Sequence, residues 1–317
     1  MTGNKALGTM FGATGVSTFM GLPGCDDLSQ LQARIALIGA DGCTPYPSVG
    51  FYCAGGPAAI RGAGAAYAAN LTHMNFDLGG PVFPHGVTAV DLGDLPVSEG
   101  DAAGNRALLQ STVAKVLDRG AVPFLLGGDD SLPIPMLQAF AGRGRDLTIL
   151  QIDAHIDWRD DVGGERLGLS STMRRASEMG HVGRIIQVGQ RGIGSARPGD
   201  VADALAYGVR FVPAGDVARA GIGPVVDLVP AGAEVVVCLD LDALDPAVMP
   251  AVIGRTAGGM SYWQVFDLIA GVAAKARIAA FDMVEFMPDR DIDGQGAAVA
   301  AQLLAGVMGI VARQNAG

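Results

Sequence analysis

The stretch Leu147-Thr148-Ile149-Leu150-Gln151-Ile152-Asp153-Ala154-His155-Ile156-Asp157 governs how the rest of the chain is read. Its first six residues make a short, almost continuously apolar run, the pattern of a strand covered on both faces rather than one. The run ends in two acids and a histidine at alternate positions. In extended chain, side chains at i, i+2 and i+4 point to one side, so Asp153, His155 and Asp157 are expected to project together.

Apolar runs of the same length recur at 35–39, 87–92, 122–126, 184–188, 209–212, 234–239 and 278–283. Between them, 106–119 and 262–274 place apolar residues at three- and four-residue intervals, as amphipathic helices do. Two-face-covered strands alternating with helices predict a parallel sheet sandwiched by helices. No repeat and no Pro/Ser-rich linker divides the chain. The expectation is therefore one α/β domain over 31–317, preceded by an irregular arm over 1–30.

The acids fall where such a sheet would use them. Leu126 runs into Gly127-Gly128-Asp129-Asp130-Ser131, Leu239 into Asp240-Leu241-Asp242, and Phe281 into Asp282-Met283-Val284-Glu285. Ligand sites of open parallel sheets lie in the crevice beyond the carboxyl ends of strands, so four acidic strand ends would face one crevice. Carboxylates gathered in a partly buried place repel unless cations sit among them. A set rich in carboxylates, with one imidazole and no thiolate, suits one or two oxygen-preferring divalent ions such as Mn²⁺. Each acid also has an ordinary reading: Asp129 as a helix N-cap, and Asp240/Asp242 as a loop pair.

Composition narrows the classes. Half of the 317 residues are apolar and 17% are charged, so a large core is feasible. The 22 basic against 32 acidic residues leave a net charge of −10, which argues against nucleic acid or an anionic membrane as partner. Glycine, at 47 residues, has no collagen-like period and signals many tight turns. The four cysteines form no CxxC pair, and Cys238 sits inside an apolar run, so no disulfide framework is expected. The start, 1–24, lacks the basic-then-apolar pattern of a signal peptide. The apolar stretch 296–312 reads as a buried C-terminal helix rather than a membrane span, and the chain as cytoplasmic.

From about residue 33 onward the sequence resembles the ureohydrolase family of arginases, agmatinases and related amidinohydrolases. The resemblance rests on Asp153-Ala154-His155-Ile156-Asp157, on Asp240-Leu241-Asp242-Ala243-Leu244-Asp245-Pro246 and on Gly127-Gly128-Asp129. Gly56-Pro57-Ala58-Ala59-Ile60-Arg61 and Phe281-Asp282-Met283-Val284-Glu285 add weaker support. It implies a three-layer α/β/α sandwich with a mainly parallel eight-stranded sheet. It also implies a binuclear manganese centre, with Ni²⁺ as the alternative, that hydrolyses a small guanidino compound to urea and an amine. Agmatine is the default substrate. Asp153 and Asp240 would bridge the metals, Asp157 would complete one site, His155 and Asp242 the other, and Glu285 would receive the guanidinium.

Three departures from the family pattern stand out. Asp130 occupies the place of a usual histidine ligand, which would make one metal site all-oxygen: Asp130, Asp153, Asp157 and Asp240. Ser170 aligns with the proton-shuttling histidine, while the nearby His181 reads as structural. The loop 249–257 replaces the usual Gly-Thr-Gly-Thr segment. Arg159 in the substrate pocket would suit a guanidino acid, and Asp160 would suit agmatine. The leading expectation is an amidinohydrolase with Asp157, Glu285 and Ser170 as catalytic residues, assembled as a homo-oligomer (trimer or hexamer). Its rival is a weak or inactive homologue, the partner subunit of an active relative in a hetero-oligomer. A single-zinc deacetylase on a related fold is opposed by the second acidic pair, Asp157 with Asp242.

Overall fold

The computed structural model describes residues 16–144, 146–194 and 196–314. Eight strands, β1 (Ile35–Ala40), β2 (Ala89–Asp94), β3 (Val122–Gly127), β4 (Leu147–Ile152), β5 (Val182–Val188), β6 (Arg210–Val212), β7 (Glu234–Asp240) and β8 (Arg277–Val284), form one sheet. Its order is β2-β1-β3-β8-β7-β4-β5-β6, and every pairing is parallel. The helices are α1 (Gly56–Gly64), α2 (Ala102–Asp118), α3 (Pro133–Gln138), α4 (Thr172–Ser177), α5 (Pro198–Tyr207), α6 (Ala214–Ala220), α7 (Gly223–Leu228), α8 (Tyr262–Ala273) and α9 (Gln295–Arg313).

The continuous apolar runs divide their residues between two cores. Ile35 and Leu37 of β1, with Val235, Val237 and Leu239 of β7, join α1, α6, α7, α8 and α9 on one face. Ala36 and Ile38, with Val236 and Cys238, join α2, α3, α4 and α5 on the other. Alternate residues of each strand therefore face different helical layers, which is why no polar alternation shows in the sequence. The expected three-layer α/β/α architecture is the one observed, and all eight strands lie within two residues of their expected positions. The helix expected at 106–119 starts four residues earlier, at Ala102, where the Asp101 side chain accepts the Gly104 amide as N-cap. Helix α9 is long and apolar enough to cross a bilayer, but its face is buried against α1 and α8.

Residues 1–15 of the expected arm lie outside the described residues. Residues 16–30 are irregular apart from two short 3₁₀ turns, and part of this segment packs into the core. Phe19 and Met20 are fully buried, and the Phe19 ring sits where a side chain on Gly64 would have to go. The Phe19 amide donates to Asp91. That carboxylate also receives Nε and Nη2 of Arg61 at 2.7 and 3.0 Å, a bidentate buried pair that locks α1 to β2. This contact gives the Gly56-to-Arg61 segment its structural purpose.

Candidate metal centre

The sheet order explains how four acidic strand ends meet. The chain builds β1 to β3 on one side, crosses to β4, β5 and β6 on the other, then returns with β7 and β8 between. The strands that carry acids at their carboxyl ends, β3, β8, β7 and β4, are thus consecutive neighbours. This central crevice, where strand order reverses, holds a cavity of about 200 Å³. Asp130, His155, Asp157, Asp240, Asp242 and Glu285 all line it.

Two overlapping donor sets form there. Asp153, His155, Asp240 and Asp242 bring ligand atoms within 4.8 Å of one another, and so do Asp130, Asp153 and Asp157. Asp153 belongs to both, as a bridging ligand would. The acids do not converge by the expected strand alternation, because β4 ends at Ile152 and the following residues turn. The His155 amide donates to Oδ1 of Asp153 at 2.6 Å, and Asp157 has φ +43°. Glu285 is also left-handed, with φ +68°, held by its amide donating to the Gly128 carbonyl at 2.7 Å. Left-handed backbone in residues other than glycine is uncommon, about 1–3 kcal/mol each, and concentrates at functional sites.

The Gly-Gly-Asp turn has a steric cause. A Cβ on Gly128 would lie 2.0 Å from the Asp41 carbonyl oxygen. Asp129 is not the helix N-cap of its ordinary reading, since Leu132 precedes α3; its carboxylate accepts the amides of Ser131 and Cys43, which closes the turn, and it stays out of the cavity. Asp130 is placed by its backbone: its amide donates to Oε1 of Glu285 at 3.0 Å, and its carbonyl accepts the Thr172 hydroxyl. Its carboxylate oxygen Oδ2 is buried with no hydrogen-bond partner.

Burial, then the neighbouring Asp157 and Asp153, pushes Asp130 well above the ordinary carboxylate range. Burial with Asp153 does the same to Asp157, and burial with Asp242 to Asp240. Asp153 goes the other way, because hydrogen bonds from His155 outweigh its burial. Although burial disfavours the imidazolium, Asp153 and Asp242 raise His155 to about 12. Nδ1 of His155 lies 3.0 Å from Oδ2 of Asp242. Burial lifts Glu285 to about 8, opposed by the Tyr52 hydroxyl. Such a cluster needs either protons or cations to relieve its repulsion. With an orphaned buried carboxylate oxygen and two donor sets sharing Asp153, the residues fit a pair of divalent ions.

Of the other expected site residues, Ser170 and Arg159 line the cavity, and Asp160 does not. Asp160 is half-exposed and pairs with Arg175 at 2.8 Å and Arg166 at 3.0 Å, so its charge faces a surface arginine cluster. Nη1 of Arg159 holds Oδ2 of Asp200 at 2.6 Å. Of the four histidines, His155 alone lines the cavity, and His181 contacts the Leu137 carbonyl from outside it. Sequence reasoning missed Tyr52, Asp200 and Gln151. Tyr52 and Asp200 lie outside any strand end and carry no spacing signal. Gln151 did carry one: it is polar within an apolar strand, two residues before Asp153. Its amide donates to both Asp153 and Asp157 at 2.6 Å, and Gln187 in turn supports its carbonyl.

A parallel α/β/α sheet whose central strand ends hold a carboxylate-rich binuclear donor set defines a metal-dependent hydrolase of the arginase type. The chain belongs to the Arginase family, whose sequence profile matches residues 35–309. It is 29% identical over 310 residues to guanidinopropionase of Pseudomonas aeruginosa, covering 95% of this chain and 93% of that one. It is 30% identical over 223 residues to the mitochondrial guanidino acid hydrolase of Homo sapiens, an alignment spanning 68% of this chain and 62% of that enzyme. Among solved structures, proclavaminate amidino hydrolase from Streptomyces clavuligerus superposes with a TM-score of 0.79 at 26% identity, over 96% of this chain and 99% of that one. Relatives in the family are hydrolases acting on guanidino or amidino compounds.

Proposed function

We propose that the protein hydrolyses a small guanidino compound to urea and an amine with two divalent ions, Mn²⁺ by the chemistry of its donors. The observation that carries this reading is the meeting of six metal-type donors at one cavity, which five of them line together with Glu285. Asp130, Asp153 and Asp157 would hold one ion, and His155, Asp240 and Asp242 with Asp153 the other. When bound, the ions supply an activated water near neutral pH. Glu285, steadied by Tyr52 and the Asp130 amide, receives the guanidinium and turns its planar carbon toward the metal site. Ser170, on the cavity wall, would pass the proton to the leaving amine.

Arg159 in the cavity, with Asp160 outside it, favours a guanidino acid over agmatine. A guanidinium has five donors, so Arg159 can keep Asp200 and still take a substrate carboxylate. Among the relatives, guanidino acid hydrolase and guanidinopropionase carry names of that polarity, beside others named agmatinase. The test is urea release from guanidinoacetate, guanidinopropionate, guanidinobutyrate, arginine and agmatine, using protein of measured metal content. Absence of turnover on all of them with two ions bound would overturn the reading.

A second reading, a subunit inactive alone and completed by an active relative, is favoured by Asp130 in the histidine's place and by the lack of a second cavity histidine. Gain of activity by Asp130→His over an inert wild type would support it.

A further inference from the structure

The two donor sets are not chemically equal. Asp130, Asp153 and Asp157 offer only carboxylate oxygens, whereas the other set includes the His155 imidazole. Asp130 is locked by its amide on Glu285 and by its carbonyl under Thr172, yet its buried Oδ2 meets no donor anywhere among the described residues. A side chain 4% exposed with a free anionic oxygen, aimed at two further carboxylates, is arranged for a cation. Carboxylates suit Mg²⁺ and Mn²⁺, and an imidazole strengthens binding of Zn²⁺, Co²⁺ and Ni²⁺ more than that of Mn²⁺.

We propose that this chain holds two metal positions of unequal selectivity: a hard, all-carboxylate position built on Asp130, and a softer one built on His155. The proposal rests on the two-metal reading above. The general order of divalent affinities still places Zn²⁺ above Mn²⁺ at both positions, but the gap narrows at the position without nitrogen. A mixed pair therefore forms readily, with the softer ion on His155 and Mn²⁺ or Mg²⁺ on Asp130. Gln151 donates to Asp157, which belongs to the carboxylate position alone, and to Asp153, which the two positions share.

The test is metal binding by the full-length chain, stripped and reloaded. Bound ions are counted by elemental analysis, affinities come from calorimetry, and released Mn²⁺ is read by its solution EPR signal. In the Mn₂ protein, one equivalent of Zn²⁺ should displace one Mn²⁺ readily, and the second should need at least about tenfold more Zn²⁺. Mg²⁺ alone should fill one position. Asp130→His, which restores a nitrogen, should make the two displacements alike, and Asp130→Asn should weaken one Mn²⁺ by about tenfold or more while leaving the other. Release of both Mn²⁺ ions at the same Zn²⁺ concentration by the wild type would overturn the inequality while keeping two metals. One ion bound at saturation, unchanged in Asp130→Asn, would remove Asp130 from the site. Failure to bind any stoichiometric ion would overturn the two-metal reading itself.

Discussion

The hydroxyl of Tyr52 donates to Oε1 of Glu285 at 2.5 Å, and the same oxygen receives the Asp130 amide at 3.0 Å. One carboxylate oxygen thus ties the loop after β1, the turn after β3 and the end of β8 into a single constellation. In the proposed function the second oxygen of Glu285 would meet the substrate guanidinium. Tyr52→Phe removes a hydrogen bond to a charged group, a loss of about 1.5–3 kcal/mol. The expected outcome is a one- to two-decade fall in kcat/KM with metal content unchanged, read by urea release beside elemental analysis. An unaltered kcat/KM would separate Tyr52 from the orientation of Glu285.

Glu285 itself is placed by its left-handed backbone, the Gly128 carbonyl, the Tyr52 hydroxyl and the Asp130 amide, and belongs to neither donor set. Glu285→Gln keeps the shape and removes the charge that would face a guanidinium. It should retain two ions while losing at least one to two decades of kcat/KM, about 1.5–3 kcal/mol. Loss of a metal ion from this variant would reassign Glu285 as a ligand.

Arg159 is the specificity residue in the proposed function. Arg159→Gln should raise KM for a guanidino acid by about tenfold or more, the loss of one charge-assisted hydrogen bond. KM for agmatine should stay level or fall, because the variant removes a like charge from its tail. Equal effects on both substrates would show that Arg159 serves only to hold Asp200.

Asp282 lies fully buried in β8, and both its oxygens lack a hydrogen bond of normal geometry. Burial raises it to about 7, with the Cys238 thiol and the Leu239 amide partly opposing. A carboxyl raised in the folded state contributes stability that is fully present below its unfolded pKa, near 4, and is lost as pH rises through about 7. Metal-free protein should therefore lose thermal stability between about pH 4 and 7, and Asp282→Asn should remove part of that loss. Parallel Tm-against-pH curves for the two proteins would count against a neutral Asp282.

The Arg61–Asp91 pair is buried on both sides and bidentate. Removing one partner strands the other charge, which destabilises by about 3–5 kcal/mol. Arg61→Met should show that loss in urea unfolding. Phe19→Ala, which empties a fully buried aromatic site, should also lose about 3–5 kcal/mol. A near-neutral result there would show that the described part of the arm does not belong to the core.

The amino-acid sequence by itself determined the eight strands, the layered fold and most of the acids of the centre. It could do so because both signals are local. A strand buried on two faces must be apolar throughout, and a carboxylate just past such a strand can belong only to the crevice end. Asp153, His155 and Asp157 were legible for that reason, although they converge through a turn, with Asp157 at φ +43°, rather than through extended chain. Long-range placement was not local and was not legible. Arg159 and Asp160 are adjacent in sequence, yet one lines the cavity with Asp200 and the other joins Arg166 and Arg175 at the surface. Tyr52 reaches Glu285 across 233 residues. Phe19 becomes core only because Gly64 leaves room for its ring and Asp91 receives its amide. Only the tertiary structure decided these, because a side chain's partner depends on which strands the sheet sets side by side, and the β3-β8-β7-β4 adjacency arises from crossovers that no local pattern encodes.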